Sequence, residues 1–517
     1  MQQAMNDLSS LTSRRRFLGM LVSALAWCVT STYAQRDGAG KRMQPGDFRR
    51  KDDEDYTLPE DLKAFALLSL VLGRVSDRSV TVSSLAQEDM EGYFEYGLAS
   101  GNYAHSTPMI DLPACKPVEV VVGKLQPDTR YFYRFQWRKP GETTFTARPE
   151  CCFHTQRVPG STFTFGVQGD SHPERPQMSD PALYARTLLA AASGNPDFYF
   201  CMGDDFSVDT LRTVNADTVA QRYTLQRPFL GLVAQSAPLV LVNGNHEQAS
   251  LFNFKQTDIR HDVAVWAQTA RNKYFPMPAE DGFYSGDHEP LDGIGALRDY
   301  YAWTWGDALF VVLDNYWHSS SQVDSGFQEG QRGHDVHKDR DWSGMTIGDA
   351  QYHWFKRTLE QSQAKYKFVF AHHVLGTGRG GVEDCGLFEW GGQNRRGDWI
   401  FAQQRPGWDM PIHQLMAKHH VTIFFQGHDH LFARQERDGV IYQEVPNPAD
   451  QGYIAYNQDR YQSGITLPNA GHLRVTVSSE QVKVDYVRCY LPGDENDKRK
   501  NGEIAYTYTI KAQAGHV

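Results

Sequence analysis

Five short polar clusters hold the residue types that bind metal and activate water: Gly169-Asp170-Ser171-His172, Gly203-Asp204-Asp205, Gly244-Asn245-His246-Glu247, His372-His373 and Gly427-His428-Asp429-His430. Asp, His and Asn offer hard oxygen and borderline nitrogen donors, the set suited to Mn, Fe or Zn, and no Cys falls inside a cluster. Two cations held close together by a bridging carboxylate lower the pKa of water and clamp the attacking and leaving oxygens of an in-line displacement at phosphorus. Each cluster closes an apolar run: Phe163 to Val167, Phe198 to Met202, Pro238 to Val242, Phe368 to Ala371 and Val421 to Phe425. These runs are too short for helices and rich in β-branched and aromatic residues, so each predicts a buried strand. If the strands share a sheet, the clusters meet outside its carboxyl edge, where α/β sheets place ligands, and the Gly residues permit the tight turns just before them.

In order and spacing the clusters resemble the five blocks of the calcineurin-like metallophosphoesterase superfamily, in particular its purple acid phosphatase-like branch, over roughly Thr162 to Gln435. The resemblance implies two divalent or trivalent transition metal ions (Fe, Mn or Zn). Asp170, His172 and His430 would hold the first, Asp204 would bridge, and Asn245, His372 and His428 would hold the second. It also implies that a hydroxide shared by the metals attacks phosphorus, while His246 steadies the phosphoryl oxygens or protonates the leaving group. His372 is preferred over His373 because the family's usual His follows the strand directly; His373 would then line the substrate pocket. Purple acid phosphatases carry a Tyr iron ligand three residues after the bridging Asp, where this chain has Ser207. The protein should therefore not be purple. Ser207 also stands where protein phosphatases of the superfamily keep an Asp that orients the catalytic His; Asp205 and Asp209 are the nearest candidates for that task. Singly, a Gly-Asp after a strand is an ordinary turn and a His pair an ordinary packed pair. The ordered set carries the reading.

Ser13-Arg14-Arg15-Arg16-Phe17-Leu18, an apolar stretch to about Tyr33 and small residues near Ala34 resemble a twin-arginine export signal over residues 1–34. The stretch is short and rich in Ser, Thr and Gly for a membrane anchor, and bulky Trp27 argues against lipid attachment at Cys28. The expected route is export by the twin-arginine translocase to the periplasm or medium. The net charge is −10, and loss of the signal's three Arg and one Asp makes it more negative, so no nucleic-acid surface is expected. No stable membrane anchor is expected either.

Residues 35–60 are polar and charged, as in a linker. Over 61–156 short alternating strands, among them Ser79 to Val82, Gly92 to Gly97, Val118 to Val122 and Arg130 to Arg134, predict a small all-β sandwich. Leu125 to Tyr131 resembles the tyrosine-corner entry of fibronectin III-like domains. Such a domain precedes the catalytic one in plant-type purple acid phosphatases and in PhoD-type phosphatases, although the latter lack the closing Gly-His-x-His block. No chemistry is legible in it, and a packing module is the expectation. Of the six cysteines left after processing, Cys201 reads as a buried thiol. Cys115 with Cys151 or Cys152 is the expected bridge.

The expected fold class is α/β, a four-layer α/β/β/α metallophosphoesterase sandwich over 157–517 behind the small β-sandwich. Leu473 to Val477, Val482 to Val487 and Ala505 to Ile510 are expected to complete a second sheet. Between the third and fourth blocks Ala308 to Leu313 predicts a strand and Asp349 to Gln363 a helix; the remaining connection, including Ser319 to Arg340, is long enough to be functional. The Gly-rich stretch Gly376 to Gly381 contains Arg379, a candidate grip on a phosphate oxygen. Tyr274, Tyr284, Trp317, His318, Trp390, Arg395 and Arg396 are candidate pocket liners. The expected activity is hydrolysis of small phosphate esters, most simply monoesters. The alternatives are a phosphodiesterase of nucleotide or lipid head-group diesters, a noncatalytic extracytoplasmic binding protein, and a hydrolase of other bonds.

Overall fold

The computed structural model describes residues 62–323, 342–376 and 378–512. The expected export signal, the polar linker and most of Ser319 to Arg340 lie outside the described residues.

The alternating region folds as two antiparallel sheets. Leu68–Gly73, Val80–Ala86 and Val118–Val122 form one, while Met90–Gly97 and Arg130–Arg138 are the spine of the other, which also holds Cys151–His154. Val82, Phe94, Val122, Tyr133, Phe135 and Phe153 share its buried interior, and the Gln126 amide donates to the Tyr131 hydroxyl at 2.9 Å. Leu68–Gly73 is buried on both faces. Its outer side packs on the helix Ala216–Ala234, whose buried Arg227 donates to the carbonyls of Ser69, Ser83 and Tyr274.

The expected disulfide is not formed: Cys115, Cys151 and Cys152 are free thiols. Cys115 lies on the approach to Val118–Val122, in one sheet, with its thiol toward Gln87. Cys151 and Cys152 lie on a strand of the other sheet. Cys201 is a buried thiol.

Beyond Phe163 two mixed sheets stack. The first has the order Leu239–Leu241, Tyr199–Cys201, Phe163–Gln168, Gly471–Val477, Gln481–Arg488, Ile504–Lys511, its first three strands parallel. The second contains Ala308–Val312, Tyr366–Phe370, Ile423–Gln426 and Val440–Glu444 as a parallel run. Alternation within each apolar run explains the stacking, because successive side chains point to opposite faces. Phe198, Phe200 and Met202 enter the layer between the sheets with Phe368, Phe370 and Phe425; the Phe200 and Phe370 rings stack at 3.9 Å. Tyr199 and Cys201 point the other way, onto the helices Pro181–Ser193, Ala216–Ala234 and Ile259–Tyr274. Val369 and Phe424 meet the helices Asp349–Gln361 and Ile412–Lys418 beyond the second sheet. The result is the expected α/β/β/α order.

The strand-sharing expectation needs correction. The first three cluster-bearing strands belong to one sheet and the last two to the other. The three C-terminal strands extend the first sheet instead of completing the second. Runs that are apolar on both faces need cover on both sides, and a second sheet supplies it for each. The clusters still converge, because both sheets present carboxyl ends to the same side.

Candidate metal centre

Asp170 and His172 follow Phe163–Gln168, Asp204 follows Tyr199–Cys201, and Asn245 and His246 follow Leu239–Leu241. His372 follows Tyr366–Phe370, and His428 and His430 follow Ile423–Gln426. The glycines serve chiefly close approach. A Cβ on Gly244 would stand 2.3 Å from Asp204 Oδ1, and one on Gly427 2.5 Å from Asp170 Oδ1. It is the candidate ligands themselves that take left-handed backbone: His172, Asp204, His428 and His430 have φ of 41°, 57°, 79° and 54°. Conformations of that kind cost of order 1–3 kcal/mol each and persist where the surroundings over-determine them, commonly at functional sites.

Asp204 is the hub. Its Oδ1 accepts from the His246 amide at 2.8 Å. Its Oδ2 is buried with no hydrogen-bond partner, 3.3 Å from His372 Nε2 and 3.8 Å from both His172 Nε2 and His246 Nε2. Asp170 Oδ2 lies 3.0 Å from His430 Nε2. His372 Nε2 is 2.9 Å from Asn245 Oδ1 and 3.2 Å from His428 Nδ1. Separations near 3 Å between donor atoms are those of neighbouring ligands on a cation with bonds of about 2.1 Å.

The supporting bonds aim these donors. His372 Nδ1 is fixed by the Met202 carbonyl at 2.8 Å. His172 Nδ1 is fixed by the Ser207 hydroxyl at 2.8 Å, leaving His172 Nε2 buried and unbonded. Ser207 therefore stands behind the ligand His instead of supplying a ligand. Glu247 accepts from the amides of Gly244, Asp204 and Phe206, stapling the second block to the third. Asp205 accepts from Gln168 and Ser171 and does not reach His246.

Charge reflects the crowding. Burial alone would lower the His372 imidazole, but the carboxylates of Asp204 and Asp170 outweigh it and push its pKa up to about 10. Burial, aided by Arg175, lowers His172 to about 4. Burial beside Asp204 and Asp205 lifts Glu247 to about 8. Apart from the sites' own histidines and Arg175, a cation is the natural counterpart of so many facing oxygens. Three donor groupings here are compatible with one: Asp170, Asp204, His372 and His428; Asp170, His172 and His430; and His172, Asp204 and His246. The centre thus fits metal ions on donor type, spacing and the orphaned Asp204 Oδ2.

His246 lies at the rim, its side chain 17% exposed. Its Nδ1 is 2.8 Å from Asp209 Oδ2, so of the two candidate carboxylates it is Asp209 that orients the ring. Arg175 Nη2 lies 2.8 Å from the same nitrogen. A single Nδ1–H cannot both donate to Asp209 and accept from Arg175. Nδ1–H donates to the Asp209 carboxylate, and the guanidinium sits beside the ring, 3.2 Å from Glu174 and 4.0 Å from Asp209. Burial lowers the His246 pKa and Arg175 lowers it further, but Asp209 and Asp204 prevail and the net direction is upward.

Arg379 is half-buried and donates to the His428 carbonyl and to Asp429 Oδ1. His373 is fully buried, its Nε2 3.5 Å from Asp429 Oδ2, so it backs the fourth and fifth blocks and does not line an open pocket. Tyr274, Tyr284, Trp317 and Trp390 are core side chains, whereas Arg395 and Arg396 are exposed. His318 pairs with Asp299. Arg175 was not singled out from the sequence. Its only signal is being a lone cation three residues past His172, inside Pro173-Glu174-Arg175-Pro176, with no periodicity to mark it.

Comparisons with known proteins agree with this geometry. The family model described as calcineurin-like phosphoesterase matches residues 163–432. Among solved structures, PhoD has a TM-score of 0.60 at 14% identity, covering 87% of this chain and 90% of that one. Purple acid phosphatase PPD1 from yellow lupin (Lupinus luteus) seeds has a TM-score of 0.53 at 16% identity, covering 86% of this chain and 74% of that one. At such identities these likenesses speak for the fold. Comparison with curated proteins finds no match.

Proposed function

This chain belongs to the calcineurin-like phosphoesterase family, a metal-dependent phosphoester hydrolase, and from that we propose that it is a dinuclear-metal phosphomonoesterase. The proposed ligands are Asp170, His172 and His430 for one ion, Asn245, His372 and His428 for the other, and Asp204 between them. The observation that carries the reading is Asp204 Oδ2, a buried carboxylate oxygen with no hydrogen-bond donor and imidazole nitrogens of three clusters around it. Bound cations supply activation of water and neutralise charge at phosphorus. Either Fe, Mn or Zn suits the donor set.

The remaining chemistry falls to the chain's own groups. Asp209 keeps the proton on His246 Nδ1, so His246 Nε2 faces the reaction and, when the ring is charged, hands its proton to the leaving oxygen. Arg175 beside it supplies a further positive charge for the phosphoryl oxygens. That charge supports monoesters, which carry a second negative charge, over diesters. Arg379 acts here through Asp429 and the His428 turn, and His373 through Asp429, as positioning residues.

The unit over 61–156 is proposed as a fibronectin III-like buttress of the catalytic unit over 157–517, on the support of the Arg227 bonds to Ser69 and Ser83. Export by the twin-arginine route to the periplasm or medium rests on the residues 13–34 motif. No helix among the described residues is long and apolar enough to cross a membrane.

The test is metal analysis of the exported full chain, coupled to hydrolysis of p-nitrophenyl phosphate and bis-p-nitrophenyl phosphate with and without chelator. About two metals per chain and chelator-sensitive release, faster on the monoester, are expected. Preference for the diester would assign a phosphodiesterase. Absence of hydrolysis after reconstitution with Mn, Fe and Zn would overturn the catalytic reading in favour of a binding protein.

A further inference from the structure

The edge that carries His372 continues outward to a second polar cluster. Sheet register places Gly286 opposite Tyr301, Tyr301 opposite Val312, and Val312 opposite Phe370. Asp287 is the next residue after Gly286, Asp299 lies two before Tyr301, and His318 lies in the turn after Ala308–Val312. Three separate segments thus deliver an Asp, an Asp and a His to one end of adjacent strands, as the catalytic blocks do.

Asp299 is 1% exposed and Asp287 5%. Asp299 Oδ2 is 2.9 Å from His318 Nε2, the separation found between His372 and Asn245 in the metal centre. Asp299 Oδ1 is buried and has no hydrogen-bond partner. Asp287 Oδ1 accepts from the Glu289 amide. One donor atom from each of Asp287, Asp299 and His318 lies within 4.8 Å of the others. Among the described residues, neither carboxylate has a Lys or Arg in ion-pair contact; the one partner is His318. Nearby Asp314 is already saturated by the amides of Tyr316 and Trp317 and by Asn243, so it adds negative charge without competing as a ligand.

Two buried carboxylates and one imidazolium leave a net negative charge in a region of low dielectric, which is costly unless balanced. A divalent cation removes the imbalance by replacing the proton on His318 Nε2, which leaves to solvent through the ring's exposed edge.

We propose that Asp287, Asp299 and His318 form a third metal site, separate from the catalytic pair, that takes one Zn(II) or Mn(II) ion. The imidazole donor with two carboxylates selects these over Ca(II) or Mg(II), which take oxygen ligands. The ion pins the segment from Asp287 to Asp299 onto the turn at His318. Asp314, which begins that turn, accepts from the Asn243 side-chain amide.

The test uses the full chain loaded with Zn(II) and desalted. Wild type is compared with the double variant Asp299→Asn/His318→Gln, and the same pair is made in an Asp204→Asn background that disables the catalytic centre. The double variant should lose one Zn per chain in both backgrounds, keep phosphoesterase activity in the first, and lose Zn-dependent thermal stabilisation in the second. Equal metal content with and without the double change would overturn the proposal, as would an Asp204→Asn protein that binds no metal. Should the double variant not fold, Co(II) spectra of the Asp204→Asn protein decide. Nitrogen- and oxygen-ligated bands that Zn(II) displaces and that are lost in Asp204→Asn/Asp287→Asn support the site, and a spectrum unchanged by that added substitution refutes it. The metal count of the Asp204→Asn protein is independent of whether the catalytic centre hydrolyses phosphate, so failure of this site and failure of the phosphoesterase reading are distinguishable.

Discussion

Replacing Asp209 with Asn tests the proposed acid most directly, because it removes one charge and keeps the shape. Asp209 Oδ2 sits 2.8 Å from His246 Nδ1, with the two side chains 12% and 17% exposed. Hydrogen bonds to charged groups contribute roughly 1.5–3 kcal/mol, and the lower end applies at this partly wet rim. About 1.4 kcal/mol corresponds to one pKa unit, so the variant should lower the His246 pKa by about one unit. The sign follows from the role. A general acid must be protonated, activity falls as pH rises through its pKa, and Asp209 is among the groups that raise that pKa. The alkaline limb of kcat should therefore move to lower pH in Asp209→Asn. At fixed pH above the limb, kcat should drop about tenfold for an alkyl phosphate and much less for p-nitrophenyl phosphate, whose leaving group needs little protonation. His246→Ala sets the ceiling, a loss of roughly 10²- to 10⁴-fold with metal retained. An alkaline limb that stays in place in Asp209→Asn, or equal losses on both substrates, would refute the acid role and leave Asp209 a structural partner.

Arg175→Ala should raise KM for monoesters more than for diesters, read as the ratio of the two p-nitrophenyl substrates. Ser207→Ala removes the hydroxyl that fixes His172 Nδ1 and should weaken metal binding about 10- to 100-fold, the usual effect of losing a partner of a ligand His, measured by chelator competition. In the metal-stripped protein, His372 has a folded pKa raised to about 10. Its contribution to stability is complete below its unfolded value and lost as pH rises through 10, so the melting temperature should fall between about pH 7 and 10, whereas a metal-loaded sample should not show that fall. Arg227→Met strands the Ser69, Ser83 and Tyr274 carbonyls and should cost roughly 3 kcal/mol, visible as a lower denaturation midpoint with unchanged active-site metal content.

The candidate ligand turns were legible because each depends on local sequence alone: an apolar run, then a donor, with a Gly between them in every cluster but His372-His373. The sandwich order was implied by the family resemblance, and runs such as Phe198 to Met202, apolar at every position and so in need of cover on both faces, are compatible with it. Which sheet each run joins was not legible. Phe198 to Met202 and Phe368 to Ala371 are both apolar at every position, and only tertiary pairing assigns them to opposite sheets. Asp209 could be named as a neighbour of the bridging carboxylate, but choosing it over Asp205 needed the turn Val208–Thr210, which swings one carboxylate outward to His246 while Asp205 points inward to Ser171. Arg175 carried only the weak signal of a lone cation past His172, because its partners Glu174, Asp209 and His246 come from three loops whose approach the sequence does not encode in any periodic form. The missing disulfide has the same origin. Cys115 sits in the turn before Val118–Val122, whereas Cys151 and Cys152 lie on a strand of the other sheet.

Ser207 shows how a single departure from a relative's pattern alters the physics of a centre without altering its ligand count. Where purple acid phosphatases place a phenolate on iron, this chain places a buried hydroxyl that bonds to His172 Nδ1. The hydroxyl carries no charge, so the first ion of the proposed pair is faced by Asp170, the shared Asp204 and two imidazoles, one formal charge fewer than with a phenolate. Less negative charge disfavours a trivalent ion and makes two divalent ions the better match. The neighbouring groups are consistent with that balance: burial and Arg175 lower the His172 pKa to about 4, which keeps its ring neutral and its Nε2 free to bind a metal near neutral pH. The expected lack of a purple colour thus follows from where the Ser207 oxygen is engaged, behind His172 and not on the ion.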